Sequence, residues 1–285
     1  MSSAAHSEID LGVLAGYDGS PAADHALDWA ARDAAARRVP LYIVMGVPET
    51  GLTHHPPRVE VREHAYALVD RATASVRERF VGLDVERSVR TGDGAEAVLA
   101  ASERCDTIVM GSRGHGGFAG LLLGSVSLRV CAHTTCPVVV VHTTASEDAT
   151  GVVVGVGGPE DAPALEFGAR HARRLGGGLR AMHSWALPVT GLAPGLMLPS
   201  MVDAERSEMI SQVVDSIRVF DPELPVDTVV MNGLAGRDLV DASAGSALVV
   251  VAAHRKHGPL PMRLGPTTHA VLHHAHCPVA VVPVR

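Results

Sequence analysis

The chain repeats itself. Val85 to Val141 aligns with Val226 to Val282 at a constant offset and without a gap, so that Gly92 falls on Gly233, Gly124 on Gly265, His133 on His274, and Cys136-Pro137-Val138 on Cys277-Pro278-Val279. Earlier parts match more loosely, with Trp29-Ala30 on Phe167-Gly168 after a slip of one residue. A duplicated unit buries its core the same way twice, and 285 residues suit two domains of ordinary size. The expected domains are 1–143 and 150–285, joined by the small, polar stretch Thr143 to Thr150.

Within each half, short Val/Ile/Leu runs alternate with longer segments of helical period, the pattern of βαβ units around a parallel sheet. Strands are expected near 10–16, 41–47, 84–90, 106–111 and 137–142, and again near 151–156, 179–185, 226–231, 247–252 and 278–283. The fold class is therefore α/β, two tandem doubly wound domains of five parallel strands each. The first helix starts at Ser20-Pro21, with Ser as N-cap and Pro at the first helical position.

Hydrophobic residues at 47% against 19% charged suit strands buried on both faces and argue against disorder. A formal net charge of -7 offers no general attraction to phosphate backbones or anionic lipids, so neither nucleic acid nor membrane is an expected partner. Apolar runs such as Leu248 to Ala253 are far shorter than the ~20 residues of a spanning helix. The N-terminus lacks the pattern of a signal peptide. Four cysteines without a Cys-x-x-Cys pair fit reduced thiols, and a cytoplasmic location follows.

In a doubly wound sheet, ligands bind at the carboxyl ends of the strands where the strand order reverses, which directs attention to the segments after strands one and four. After strand four comes Met110-Gly111-Ser112-Arg113-Gly114-His115-Gly116-Gly117, then Gly124-Ser125 opening a helix. Glycines let the backbone approach an anion, and a helix start presents free N–H groups and a favourable dipole. Arg113 adds a charge-assisted donor, and Ser125 and Ser127 add hydroxyls. Read singly, Ser125 is an N-cap, Asp18 a turn residue and Arg113 a solvated side chain; their convergence on one motif favours a phosphate site.

Gly111, two residues, Gly114, nine residues, then Gly124-Ser125 resembles the ATP-binding motif of the universal stress protein family. Asp106 to Met110, Gly16-Tyr17-Asp18-Gly19-Ser20 at the first strand end, and Cys136-Pro137 before the last strand are also similar to that family, over nearly the whole chain as two tandem domains. The resemblance implies an adenine nucleotide alpha hydrolase-like fold holding ATP with Mg2+ or Mn2+. It implies that Gly16, Asp18 and Leu41 lie beside adenine and ribose, that Met110, Gly111, Arg113 and Gly114 follow the ribose and phosphates, and that Gly124, Ser125, Val126 and Ser127 hold the phosphate tail.

The second half departs from this motif. The constant offset puts Ala252 at Gly111, Arg255 at Gly114 and Pro266 at Ser125, with Gly265 retained; a one-residue slip would instead bring Ala253 and Lys256 to the two glycines. Gly157 and Gly158 stand where Asp18 would be. ATP is thus expected mainly in the first half, while His254, Arg255 and Lys256 leave another anion open to the second. His269 and His273 share a helical face, but most of that histidine cluster has no counterpart in the first half, and no metal site is expected.

There is no Gly-Lys-Ser/Thr loop, Gly-x-Ser-x-Gly elbow or His-Glu-x-x-His pattern. The expected role is a nucleotide-responsive stress regulator or sensor, in which ATP orders the loop from Ser112 to Leu123 and a regulatory protein partner reads the result. The alternatives are a slow ATP hydrolase or phosphotransferase with no assigned catalytic residue, and a ligand-free interaction scaffold. Val138 to Val141 forms an edge that resembles the family's dimerisation strand, so the halves are expected to pair as an intramolecular pseudo-dimer, with a homodimer a further option.

Overall fold

The computed structural model describes residues 11–48, 58–114, 123–142, 148–186, 199–254 and 264–284. The loop residues 115–122, part of the linker, and Arg255 and Lys256 lie outside these. The first half runs β1 (Val13–Gly16), α1 (Pro21–Arg37), β2 (Leu41–Val47), α2 (Arg58–Arg79), β3 (Val85–Thr91), α3 (Gly94–Ala101), β4 (Thr107–Gly111), α4 (Ser125–His133) and β5 (Val138–Val141). The second runs β6 (Val152–Gly155), a 3-10 turn (Pro159–Asp161), α5 (Ala162–Arg174), β7 (Leu179–Trp185), α6 (Pro199–Phe220), β8 (Val226–Asn232), α7 (Ala235–Ser243), β9 (Leu248–His254), α8 (Pro266–His274) and β10 (Val279–Val284).

All ten expected strands are present; the central ones are apolar runs buried on both faces, while β3 and β8 form the sheet edges and are largely exposed or half-buried. Val138 to Val141 is the extreme case, with every residue fully buried. The core divides into two layers: α1, α2, α5 and α6 cover one face and α3, α4, α7 and α8 the other. Ser20 caps α1 as its sequence implies, its side chain accepting from the N–H of Ala23 at 3.2 Å.

The strand order is β3-β2-β1-β4-β5-β10-β9-β6-β7-β8, one ten-stranded sheet. Each half is parallel throughout, and the halves join where β5 and β10 pair antiparallel, Val139 opposite Ala280. The valine edge of the first half is thus covered by the matching edge of the second. Helices α1 and α5 meet across the same joint, where the rings of Trp29 and His171 stack at 5.7 Å.

Within the first half the chain moves outward through β2 and β3, then returns to the other side of β1 for β4 and β5. The order therefore reverses between β1 and β4, whose carboxyl ends lie side by side with Gly16 opposite Met110.

Candidate functional site

A cavity of about 480 Å³ opens at this reversal, lined by the ends of β1, β2 and β4 and the starts of α1, α3 and α4. It brings together ten of the eleven residues singled out in the sequence: Gly16, Asp18, Met110, Gly111, Arg113, Gly114, Gly124, Ser125, Val126 and Ser127. Leu41 is the exception and requires correction. It sits at the amino end of β2, fully buried and paired with Val13 and Val85, so it serves the core. The part of β2 that reaches the cavity is its carboxyl half, through Val44 and Gly46.

Gly111 ends β4 against the first turn of α1. A Cβ there would lie 2.7 Å from the Ala22 carbonyl carbon and 2.8 Å from its oxygen, so backbone meets backbone at this wall. Gly46 is the same device on the opposite wall, where a Cβ would come within 2.7 Å of the Asp93 carbonyl oxygen at the start of α3. A glycine within an apolar strand is a sign of close backbone approach. That sign was legible at position 46, and the motif-based reading passed over it, as it did Gly94 and Val98 across the slot.

Gly124 is the N-cap residue of α4 and makes no side-chain cap, while its N–H donates to the Ser112 carbonyl at 2.6 Å. The first-turn amides of α4 thus face the cavity without a side-chain acceptor, beside the turn 111–114. Ser125 and Val126 are exposed there, as are Arg113 and Gly114. Ser127 behaves differently: it is buried, and its hydroxyl donates to the Gly111 carbonyl at 2.8 Å. Its proton is committed to tying α4 to β4, so it shapes the cradle and does not donate into it.

Asp18 is the one carboxylate among the described lining residues. Its Oδ1 accepts from the Ser20 N–H at 3.0 Å, while Oδ2 hangs over Gly114, 2.2 Å from where a Cβ would stand. Tyr17 closes the same corner. Burial and the hydrogen bond its hydroxyl donates to Asp24, at 2.8 Å, raise the phenol well above its usual range and keep it neutral. On the rim, Asp93 caps α3 in a reciprocal box with Glu96, and Arg129 of α4 pairs with both acids, linking α3 to α4.

A model of the universal stress protein family matches residues 12–142 and again 150–283. The chain belongs to that family. It is 33% identical to universal stress protein Rv2005c of Mycobacterium tuberculosis over 291 residues, covering 95% of this chain and 96% of the relative. Universal stress protein Rv1996 of the same organism is 30% identical over 304 residues, covering 96% and 95%. Among solved structures, a universal stress protein from Archaeoglobus fulgidus superposes with a TM-score of 0.74, covering 96% of this chain and 99% of that one. At 18% identity that likeness is one of fold.

The two halves of this tandem family member are unequal. Val152 pairs with Leu248 as Val13 pairs with Thr107, which puts Ala252 in the place of Gly111 and decides between the two sequence alignments. Ala253 then stands for Ser112 and His254 for Arg113, while Pro266 follows Gly265 at the start of α8. No helix among the described residues is long and apolar enough to cross a membrane.

Proposed function

We propose that the first half holds one ATP and that the protein is a nucleotide-responsive regulator whose loaded state a protein partner reads. What carries this reading is the uncapped start of α4 facing the turn 111–114 at the strand-order reversal. Amides of Ser125, Val126 and Ser127 in the first turn of α4 would donate to phosphate oxygens, and the helix dipole favours the negative charge. Arg113, exposed at the same mouth, supplies the cation. Val44, Val98 and Met110 offer an apolar slot for a flat base, and Asp18 an acceptor for ribose hydroxyls.

A cavity of about 480 Å³ is of the size that takes a nucleotide. Among the described residues no three His, Cys, Asp or Glu stand together as a metal site. Mg2+ or Mn2+ would therefore arrive with the nucleotide and take its oxygens from the phosphates, with Asp18 the carboxylate at hand. Ala252 and Pro266 leave the second half without this cradle, and it is assigned weak ATP binding or none.

The test is direct. Nucleotide released by denaturing the purified protein is identified by mass, and the emptied protein is titrated with ATP. One ATP per chain, lost in Gly114→Glu, supports the reading. Protein that carries no nucleotide and gives no heat with millimolar ATP and Mg2+ would exclude it.

A further inference from the structure

The second half keeps a cavity of about 360 Å³ at the carboxyl ends of β6 and β9, although the phosphate cradle is gone. Its apolar slot is intact: Met182 stands for Val44, Leu239 for Val98 and Val251 for Met110, each on the matching strand or helix. What has changed is the end where phosphates would lie. Pro266 removes an amide donor at the start of α8, and the place of Arg113 is taken by His254, whose ring is already beside an acid.

That acid is Asp161, which lines the cavity at 2% exposure. Its Oδ2 accepts from the Gly157 N–H at 2.6 Å. Its Oδ1 lies 2.8 Å from the Nε2 of the half-exposed His254 and has no other partner among the described residues. A carboxylate oxygen can accept more than one hydrogen bond, so beside His254 it can still take a ligand hydroxyl or amino group. The same carboxylate disfavours an incoming polyphosphate. Burial raises the Asp161 carboxyl, against the lowering effect of the Gly157 N–H and of His254.

We propose that the second-half cavity binds an uncharged nucleoside, its base in the Met182–Leu239–Val251 slot and a sugar hydroxyl donating to Asp161 Oδ1. The chain would then distinguish two forms of related ligands, phosphorylated in one half and phosphate-free in the other. The inference stands on this cavity alone and does not require ATP in the first half.

The experiment is hydrogen exchange on the full chain with adenosine or ATP as probe, together with calorimetry on Gly114→Glu and Asp161→Asn. Adenosine is expected to slow exchange in peptides covering 156–161 and 264–268, and ATP to leave them unchanged. In Gly114→Glu, adenosine is expected to bind one per chain, and Asp161→Asn to weaken it tenfold or more. Should Asp161→Asn fail to fold, exchange on the unaltered chain decides. No adenosine protection in these peptides, or equal protection by ATP, overturns the proposal; ATP failing to bind anywhere would remove only the first-half reading.

Discussion

Asp33 of α1 and His171 of α5, from opposite halves of the chain, meet with Oδ1 and Nε2 3.4 Å apart, each side chain only 6% exposed. Arg174 reaches the same carboxylate at 3.2 Å from α5, and Arg37 at 3.2 Å from α1 while also pairing with Asp106. The joint between the halves is therefore ionic in its centre as well as hydrogen-bonded along β5 and β10.

This joint is expected to loosen in acid. Burial would raise the Asp33 carboxyl, but the His171 contact and the guanidiniums of Arg174 and Arg37 outweigh it and hold it at about 2 against an ordinary 3.8. Its contribution is complete above pH 3.8 and disappears as pH falls through about 2, on the order of 2 kcal/mol. Burial lowers His171 below 6.5, so its contribution too declines as pH drops beneath that value. Urea melts from pH 7 to pH 2 should show this slope, and Asp33→Asn should flatten its lowest part.

The two serines at the start of α4 should separate structure from binding. Ser127→Ala removes the hydrogen bond to the Gly111 carbonyl and is expected to cost about 1 kcal/mol of stability. Ser125→Ala should leave the melt unchanged, since its hydroxyl is exposed, and should weaken ATP severalfold. Paired denaturation and calorimetry on both variants check the contrast.

Gly111→Ala forces a methyl against the Ala22 carbonyl, an overpacking expected to cost about 1–3 kcal/mol. ATP affinity should fall with it, because the wall between β4 and α1 must open. A variant that melts and binds like the parent would contradict the close approach.

Leu41→Val tests the corrected position. Removing one methylene from the core should cost about 1 kcal/mol, with the dissociation constant for ATP unchanged at a temperature where the chain is folded.

Cys136 should be the thiol that reacts first. It is half-buried, its sulfur lies 3.3 Å from the Cys105 carbonyl and 3.7 Å from that of Ser102, and hydrogen bonding from the Cys105 thiol lowers it while raising Cys105. Burial raises Cys131 and Cys277 to about 12. Iodoacetamide labelling followed by peptide mapping should give Cys136 well before the other three, at a pH below that of a free thiol.

The strands were legible because a fully buried parallel strand is written as an uninterrupted apolar run, and Val138 to Val141 needs no partner in view to be read so. The cavity's lining was legible because its glycines lie close together in sequence. Leu41 misled because the motif named a strand without saying which end of it reaches the ligand; pairing with Val13 and Val85 settles that only in three dimensions. Asp33 and His171 were illegible for a related reason. Each reads alone as a polar residue on a helix, and what buries them is the docking of two halves whose contact leaves no local pattern. Asp161, three residues past Gly158, could be noticed only once its buried carboxylate was seen inside a cavity.

Because the halves meet head to tail at β5 and β10, the strand ends that carry the two hollows point in opposite directions along a single continuous sheet. A molecule covering one mouth would therefore leave the other open, and the valines of β5 and β10 are the shared strip of backbone between them.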